Sequence, residues 1–156
     1  MNPGDFQIAI VENGLATAEE LIGITSSDIE NLEKLFSVQL PDSYKSFLLF
    51  CENNMEMLGS TPILYYPEII NLRDSFDNLI EDELKITTPE NSFIFYSFDE
   101  LIFDFFICNG NPDPVMYRVV EGKNNIESRG STFTDYFFRL IETCDKSKSN
   151  DAFKYY

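Results

Sequence analysis

The chain has 156 residues, of which 44% are apolar and 15% aromatic, and this length and composition indicate one compact globular domain rather than a disordered segment. It contains no histidine, which excludes an imidazole base, Cys/His and Ser/His nucleophile pairs and every zinc site with a histidine ligand. Its formal net charge of −16 repels nucleic acid and anionic membranes and favours a cationic partner, although such a charge also serves solubility.

The N-terminal stretch MNPGDFQIAIVENG lacks the basic n-region of a signal peptide, which indicates that the chain is not secreted by that route. The three cysteines, Cys51, Cys108 and Cys144, lie far apart in apolar stretches and form no CxxC pair, which is typical of reduced, buried thiols. The longest apolar runs, such as LIFDFFIC, are shorter than the roughly 20 residues that a membrane helix needs. We therefore predict a cytoplasmic protein that does not insert into membranes.

Helical patterns dominate the N-terminal half. Residues 1–24 indicate a helix entered at Pro3 and a second piece around ATAEELIG. Ser27 followed by Glu30 has the spacing of a capping box, and the apolar residues after it recur at helical spacing, which predicts a helix from about 28 to 36.

Two further helices are predicted before the sheet. The segment LPDSYKSFLLFCENN predicts an amphipathic helix from about 41 to 52, because an apolar face begins at Tyr44 and recurs at i+3, i+4 and i+7. In residues 62–86, PILYYPEII is typical of a short strand and turn, whereas NLRDSFDNLIEDEL places its apolar residues at helical spacing. We therefore expect a strand followed by a helix in this part of the chain.

The sequence pattern changes after Thr88. The runs SFIFYSF, LIFDFFIC and PVMYRVV are dense in aromatic and β-branched residues, and the turn-forming stretches FDE and NGNPDP separate them. Connections this short exclude parallel pairing, so the pattern predicts an antiparallel meander of three strands. Thr132 and Asp135 form a capping pattern that opens a C-terminal helix, and we expect residues 146–156 to be a loosely held tail. The predicted fold is a single α+β domain, residues 1–156, with N-terminal helices and a C-terminal helix packed on a central antiparallel sheet.

Acidic residues are concentrated in two regions of the sequence. Residues 1–33 hold seven acids and no base, and residues 74–114 hold ten acids and one base. The densest group in the second region, which we call the acidic run, consists of Glu81, Asp82 and Glu83. The stretch FDELIFDFF places three more carboxylates in an otherwise apolar segment: Asp99, Glu100 and Asp104. All six residues are candidates for binding a partner.

Four interpretations of these acids remain open. Two carboxylates across a turn could serve a glycoside hydrolase, but no further motif supports catalysis. A calcium loop needs a DxDxDG pattern, and NGNPDP lacks both that spacing and the terminal glutamate. In a structural interpretation, Asp99 and Glu100 cap an exposed turn, Asp104 lies at a wet sheet edge or accepts a local hydrogen bond, and the acidic run is a solvated helix end. In the functional interpretation the acids form a recognition surface, and we predict no catalytic residue, metal site or cofactor.

Two stretches of the sequence resemble the SUKH superfamily, which includes fungal Smi/Knr-type cell-wall synthesis regulators and many bacterial immunity proteins. The first is DIENLEKLFSVQLPDSYKSFLLFCENN, residues 28–54, and the second runs from FIFYSFDELIFDFFICNGNPDPVMYRVV to STFTDYFFRLIE. The residues that carry the resemblance belong mostly to the framework: Leu40, Pro41, Tyr44, Phe47, Leu48, Val115, Tyr117, Phe133 and Phe137.

The resemblance implies an α+β fold without catalytic residues, and a protein that acts by binding another protein. For bacterial members, it implies an antidote that binds and blocks a cognate toxin, often a nuclease. The acidic composition agrees with this, because a nuclease needs a basic groove to hold phosphates. The alternative that the resemblance offers is a non-enzymatic regulatory scaffold like the fungal proteins.

Overall fold

The computed structural model describes residues 5–50 and 68–143. The helices are α1 (Asp5–Glu12), α2 (Ser26–Phe36), α3 (Asp42–Phe50), α4 (Glu68–Asp77) and α5 (Phe133–Thr143), and α4 continues as a π-helical segment, Asn78–Glu83. The strands are β1 (Ser92–Phe98), β2 (Ile102–Ile107), β3 (Val115–Val120) and β4 (Glu127–Thr132). They form an antiparallel sheet in the order β1-β2-β3-β4. The predicted α+β fold is therefore confirmed.

The sheet separates two clusters of buried side chains, so that it forms the middle layer of the fold. One cluster joins the sheet to α1, α2, α3 and α5, and it includes Phe106 of β2. The other joins the opposite face to α4 and the π-helical segment, and it includes Phe103 and Phe105. Within β2, Phe106 therefore points to one face of the sheet and Phe103 and Phe105 to the other, because successive strand residues point to opposite faces.

Aromatic rings fill the first cluster, with Tyr44 of α3 at its centre. The Tyr44 side chain is fully buried. Its ring centroid lies 5.4 Å from that of Phe93, 5.3 Å from that of Phe106 and 5.3 Å from that of Phe133. These contacts tie α3 to two strands and to α5, so framework residues of α3 and α5 meet in one core.

The fourth strand was not predicted. The sequence of β4, ESRGST, contains no large apolar residue, and its residues 128–130 are exposed at one edge of the sheet. Its pairing with β3 is also irregular between Val115 and Tyr117, and Gly130 adopts a φ of +67°. A bulged, polar edge of this kind limits pairing with other chains, and it also removes the alternating pattern that identifies strands.

The first two helices differ in detail from the prediction. Helix α1 is present, whereas ATAEELIG forms only a turn, in which the Thr17 amide donates to Glu20 Oε2 at 2.8 Å. Helix α2 begins at Ser26 rather than near residue 28, and Thr25 is its N-cap. Pro3 lies outside the described residues.

The capping box of α2 consists of Thr25 and Asp28, not of Ser27 and Glu30 as predicted. The Asp28 amide donates to Thr25 Oγ1 at 3.1 Å, and the Thr25 amide donates to Asp28 Oδ2 at 3.0 Å. Both pairs have the same spacing in the sequence. Only the earlier pair lies where the chain changes from extended to helical backbone, and Thr25 has a φ of −81° and a ψ of 161°.

Helices α3 and α4 agree in part with the prediction. Helix α3 follows Pro41, and the end of its predicted range, residues 51–52, lies outside the described residues. Most of the predicted strand PILYYPEII also lies outside them, but its last three residues are helical and open α4. The predicted tail, residues 146–156, is likewise not described.

Candidate partner-binding surface

Strands β1 and β2 are joined by a three-residue connection, residues 99–101, in which Asp99 and Glu100 are the central residues of a four-residue turn from Phe98 to Leu101. Both residues have left-handed backbone, with φ values of +50° and +56°. The Leu101 amide donates to the Phe98 carbonyl at 3.0 Å, which closes the turn. Positive φ at both central residues is the signature of a type I′ hairpin turn, whose twist matches that of the strands. Both acidic side chains are exposed, as the sequence predicts for a turn.

Two large apolar side chains flank these acids in solvent. Phe98 is 49% exposed and Leu101 is 43% exposed, and we call residues 98–101 the hairpin tip. The Glu121 amide donates to the Leu101 carbonyl at 2.8 Å, so a third exposed acid follows β3 beside the tip. Sequence analysis missed Phe98, Leu101 and Glu121. The sequence gives no signal for Phe98 and Leu101, because both belong to the apolar runs SFIFYSF and LIFDFFIC, whose other large side chains are mostly buried.

The acidic run lies on the π-helical segment and is exposed along its whole length. Beneath it, Leu79 and Ile80 are buried against the sheet, which fixes the segment. Glu81 Oε1 accepts a hydrogen bond of 2.7 Å from Thr88 Oγ1. Within the described residues, no hydrogen bond or ion pair connects the acidic run to the hairpin tip.

Asp104 does not belong to the exposed acids, although the sequence grouped it with them. Its side chain is fully buried in the middle of β2, so it is not at a wet sheet edge. It accepts two hydrogen bonds from Arg118, at 2.7 Å from Nε to Oδ1 and 2.8 Å from Nη2 to Oδ2. A carboxylate enclosed in this way cannot contact a partner directly. The expected local hydrogen bond is also wrong, because the donor is Arg118 on the next strand, fourteen residues away in the sequence.

Strand register explains the contact between Asp104 and Arg118. The two residues are directly opposite each other on β2 and β3, and they point to the same face. Burial lowers the pKa of the Arg118 guanidinium, but the hydrogen bonds and charge of Asp104 outweigh that effect and raise it. The guanidinium also lies 5.8 Å from the centre of the Tyr96 ring. This group of side chains is a structural pair inside the sheet layer.

The geometry of the acids bears on catalysis and on metal binding. Asp99 and Glu100 project from a hairpin turn, and Asp104 is enclosed with its arginine, so these carboxylates form no pair across a cleft. In residues 5–50 and 68–143, no group of three or more cysteine, aspartate or glutamate side chains is placed to hold a metal ion. Over the same ranges, none of the helices has the length and apolar character needed to cross a bilayer.

Comparison with known proteins places the fold in a family. No curated protein matches the sequence. The family model described as SMI1 / KNR4 family (SUKH-1) matches residues 23–139, which extend from the residues before α2 into α5. The match includes the hairpin tip, the acidic run and the pair of Asp104 and Arg118. Because the matched region covers well over half of the sequence, the chain belongs to the SMI1 / KNR4 family (SUKH-1).

Proposed function

We propose that the protein is a cytoplasmic immunity protein that binds a cognate toxin with a basic surface, such as a nuclease domain, and neutralises it by direct contact without catalysis. One structural observation supports this proposal above all. Five exposed acids, at the acidic run and the hairpin tip, form no ion pair with any described basic residue. Their charge is therefore available to an external cation. Family membership supports a protein as the partner.

Charge complementarity explains why a nuclease suits such a surface. A nuclease holds phosphates with lysine and arginine side chains, and an acidic protein can occupy the same basic groove. Opposite charges also steer the two proteins together, which raises association rates by roughly 10-fold to 10³-fold. Fast association favours an antidote, because the toxin must be captured before it reaches its substrate.

Co-expression tests the proposal. The gene is expressed in bacteria together with the toxin domain encoded beside it, and growth is compared with that of cells that express the toxin alone. We expect the chain to restore growth and to co-purify with a catalytically inactive toxin domain. If neighbouring toxin domains are neither bound nor neutralised, the immunity function is wrong.

The second candidate function is a non-enzymatic regulatory scaffold. The family description favours it because it names SMI1 / KNR4, which matches the resemblance to the fungal Smi/Knr-type cell-wall synthesis regulators. A scaffold would present the same exposed acids to an endogenous partner. Gene neighbourhood separates the two functions: an immunity gene lies beside a toxin gene, whereas a scaffold gene has no such neighbour. Affinity purification of the chain from its own host should then recover an endogenous protein instead of a toxin.

A further inference from the structure

We infer that the hairpin tip, residues 98–101, is the surface that inserts into the basic partner, and that the acidic run is not. The inference deepens the proposed function and depends on it. The partner surface that fits the tip is an apolar depression bordered by lysine or arginine side chains.

The apolar side chains of the tip are the first reason. Phe98 and Leu101 expose 49% and 43% of their surfaces at the end of two paired strands. Aromatic anchors surrounded by polar residues carry most of the affinity in protein interfaces. Strand pairing holds these anchors in place before binding, so little conformational entropy is lost when a partner covers them.

The charges around the tip determine which partner it fits. Asp99, Glu100 and Glu121 are exposed around the two apolar side chains and make no described ion pair. The nearby Lys123 is paired with Glu127, at 3.4 Å. A basic rim on the partner would therefore complement the acids while its apolar centre covers the anchors.

The strained turn is the second, independent reason. A type I′ turn strongly prefers Asn-Gly, since both central residues need positive φ. This chain has Asp99 and Glu100 there, and glutamate has neither the flexibility of glycine nor a short side chain that can bond to its own backbone. The turn is therefore less stable than an Asn-Gly turn of the same conformation would be. Strain of this kind at an exposed turn is typical of functional sites, where the side chain serves something other than stability.

The acidic run lacks both features. The apolar residues beneath it, Leu79, Ile80 and Leu84, are buried in the core and offer nothing to a partner. None of Glu81, Asp82 and Glu83 has a positive φ, so the backbone of the acidic run carries no strain of this kind. The run therefore adds to the long-range field of the protein without supplying an anchor.

Paired variants separate these roles. One carries Phe98→Ser with Leu101→Ser, and a second carries Asp99→Asn with Glu100→Gly. The control for lost apolar surface is Leu35→Ser, because Leu35 is 57% exposed on α2. The control for lost charge is Glu81→Gln with Asp82→Asn and Glu83→Gln. Each protein is measured against the catalytically inactive toxin domain encoded by the flanking gene, by surface plasmon resonance, and its melting temperature is recorded.

We expect opposite effects on stability and binding. The Asp99→Asn, Glu100→Gly variant should melt at a higher temperature than the wild type but bind at least about tenfold more weakly, mainly through slower association. The Phe98→Ser, Leu101→Ser variant should bind about 30-fold more weakly through faster dissociation. Both controls should stay within about threefold of the wild-type dissociation constant, since they lack anchor contacts.

Several outcomes would overturn the inference. If both tip variants bind within about threefold of a wild type that does bind the toxin domain, the tip is not the contact and the proposed function stands. A lower melting temperature for the Asn-Gly variant would contradict the strain argument. If the wild type binds no toxin domain, the proposed function itself fails. Hydrogen exchange of the wild type adds a measurement that needs no variant, because the complex should protect residues 98–101 and leave residues 81–83 unchanged.

Discussion

The carboxylate of Asp104 and the guanidinium of Arg118 meet in the interior of the sheet layer, where both side chains are largely removed from water. Desolvation of two charges offsets most of the energy of their attraction. Such a pair contributes little net stability compared with two apolar residues of similar volume. Removal of one partner is different, because it leaves an uncompensated charge in a low-dielectric environment.

The first prediction concerns this pair. Asp104→Leu should lower the free energy of unfolding by about 3–5 kcal/mol, because Arg118 then stays buried without its partner. Addition of Arg118→Met should recover most of that loss. Urea unfolding of both single variants and the double variant measures the coupling. Single losses below about 0.5 kcal/mol, as for an ordinary surface residue, would show that the pair is not buried in solution.

The second prediction concerns Cys108, which follows β2 and is 9% exposed. Burial, followed by the negative charge of Glu33, raises the pKa of its thiol from 9.0 to about 11. Near neutral pH the thiolate fraction is thus about a hundredfold smaller than for an ordinary cysteine. Alkylation by iodoacetamide, followed by mass spectrometry of the peptide that contains Cys108, should be at least that much slower in the folded protein than in urea. Equal rates would contradict the burial of this thiol.

At the level of whole elements, the start of α2 tests how well a short sequence pattern defines a helix. The third prediction is that Thr25→Ala lowers the free energy of unfolding by about 1 kcal/mol, because the Asp28 amide loses its acceptor. Ser27→Ala is the matched control, and it should change stability by less than about 0.5 kcal/mol. Urea unfolding of both variants decides between the Thr25/Asp28 capping box and the Ser27/Glu30 capping box. A larger loss for Ser27→Ala would favour the box predicted from the sequence.

The same cap depends on pH. The side-chain hydrogen bond from Thr25, followed by its backbone hydrogen bond, lowers the pKa of Asp28 below its ordinary value of 3.8. The unfolded state therefore takes up the Asp28 proton first, and the cap loses its contribution as the pH falls through the folded-state pKa. Above the ordinary value the contribution is complete. The stability difference between wild type and Thr25→Ala should accordingly shrink in acid and stay constant near neutral pH.

Sequence reasoning found the elements whose burial produces a regular pattern. Helices α2, α3 and α5 each bury one face, so their apolar residues recur with a period of 3.6. Strands β1 and β2 are buried on both faces of the sheet, so they appear in the sequence as continuous apolar runs bounded by turn residues. Strand β4 was not predicted, because it is mostly exposed and its pairing is irregular, so it has neither a regular apolar period nor a continuous apolar run. The start of α4 was misread because PEII contains residues common to strands, and packing of Ile69 in the core overrides that propensity.

The candidate site was predictable only in part. The sequence identified Asp99 and Glu100 as exposed turn residues because turns between strands face solvent. It could not separate them from Asp104, since the partner of Asp104 lies fourteen residues away on the next strand. It also gave no sign that Phe98 remains exposed, because exposure depends on where the covering helices end.

For the molecule as a whole, the net charge of −16 sets the strength with which it attracts a basic partner, and the salt concentration sets the range of that attraction. The fourth prediction is that association with the basic toxin domain slows as salt rises. The Debye length falls from about 10 Å at 0.1 M to about 3 Å at 1 M, and the association rate should fall at least about tenfold over that interval. The dissociation rate should change much less, because the anchors of the hairpin tip are apolar. An association rate that does not respond to salt would exclude electrostatic steering.

The enclosure of Tyr44 by phenylalanine rings has an optical consequence. A tyrosine held in a fixed, asymmetric environment gives a strong near-ultraviolet circular dichroism band, and the chain contains no tryptophan to obscure it. Loss of that band with retention of the far-ultraviolet signal would reveal a molten core at once. Because the chain has no tryptophan, it contributes no indole fluorescence, and any indole signal from a mixture with a partner comes from the partner.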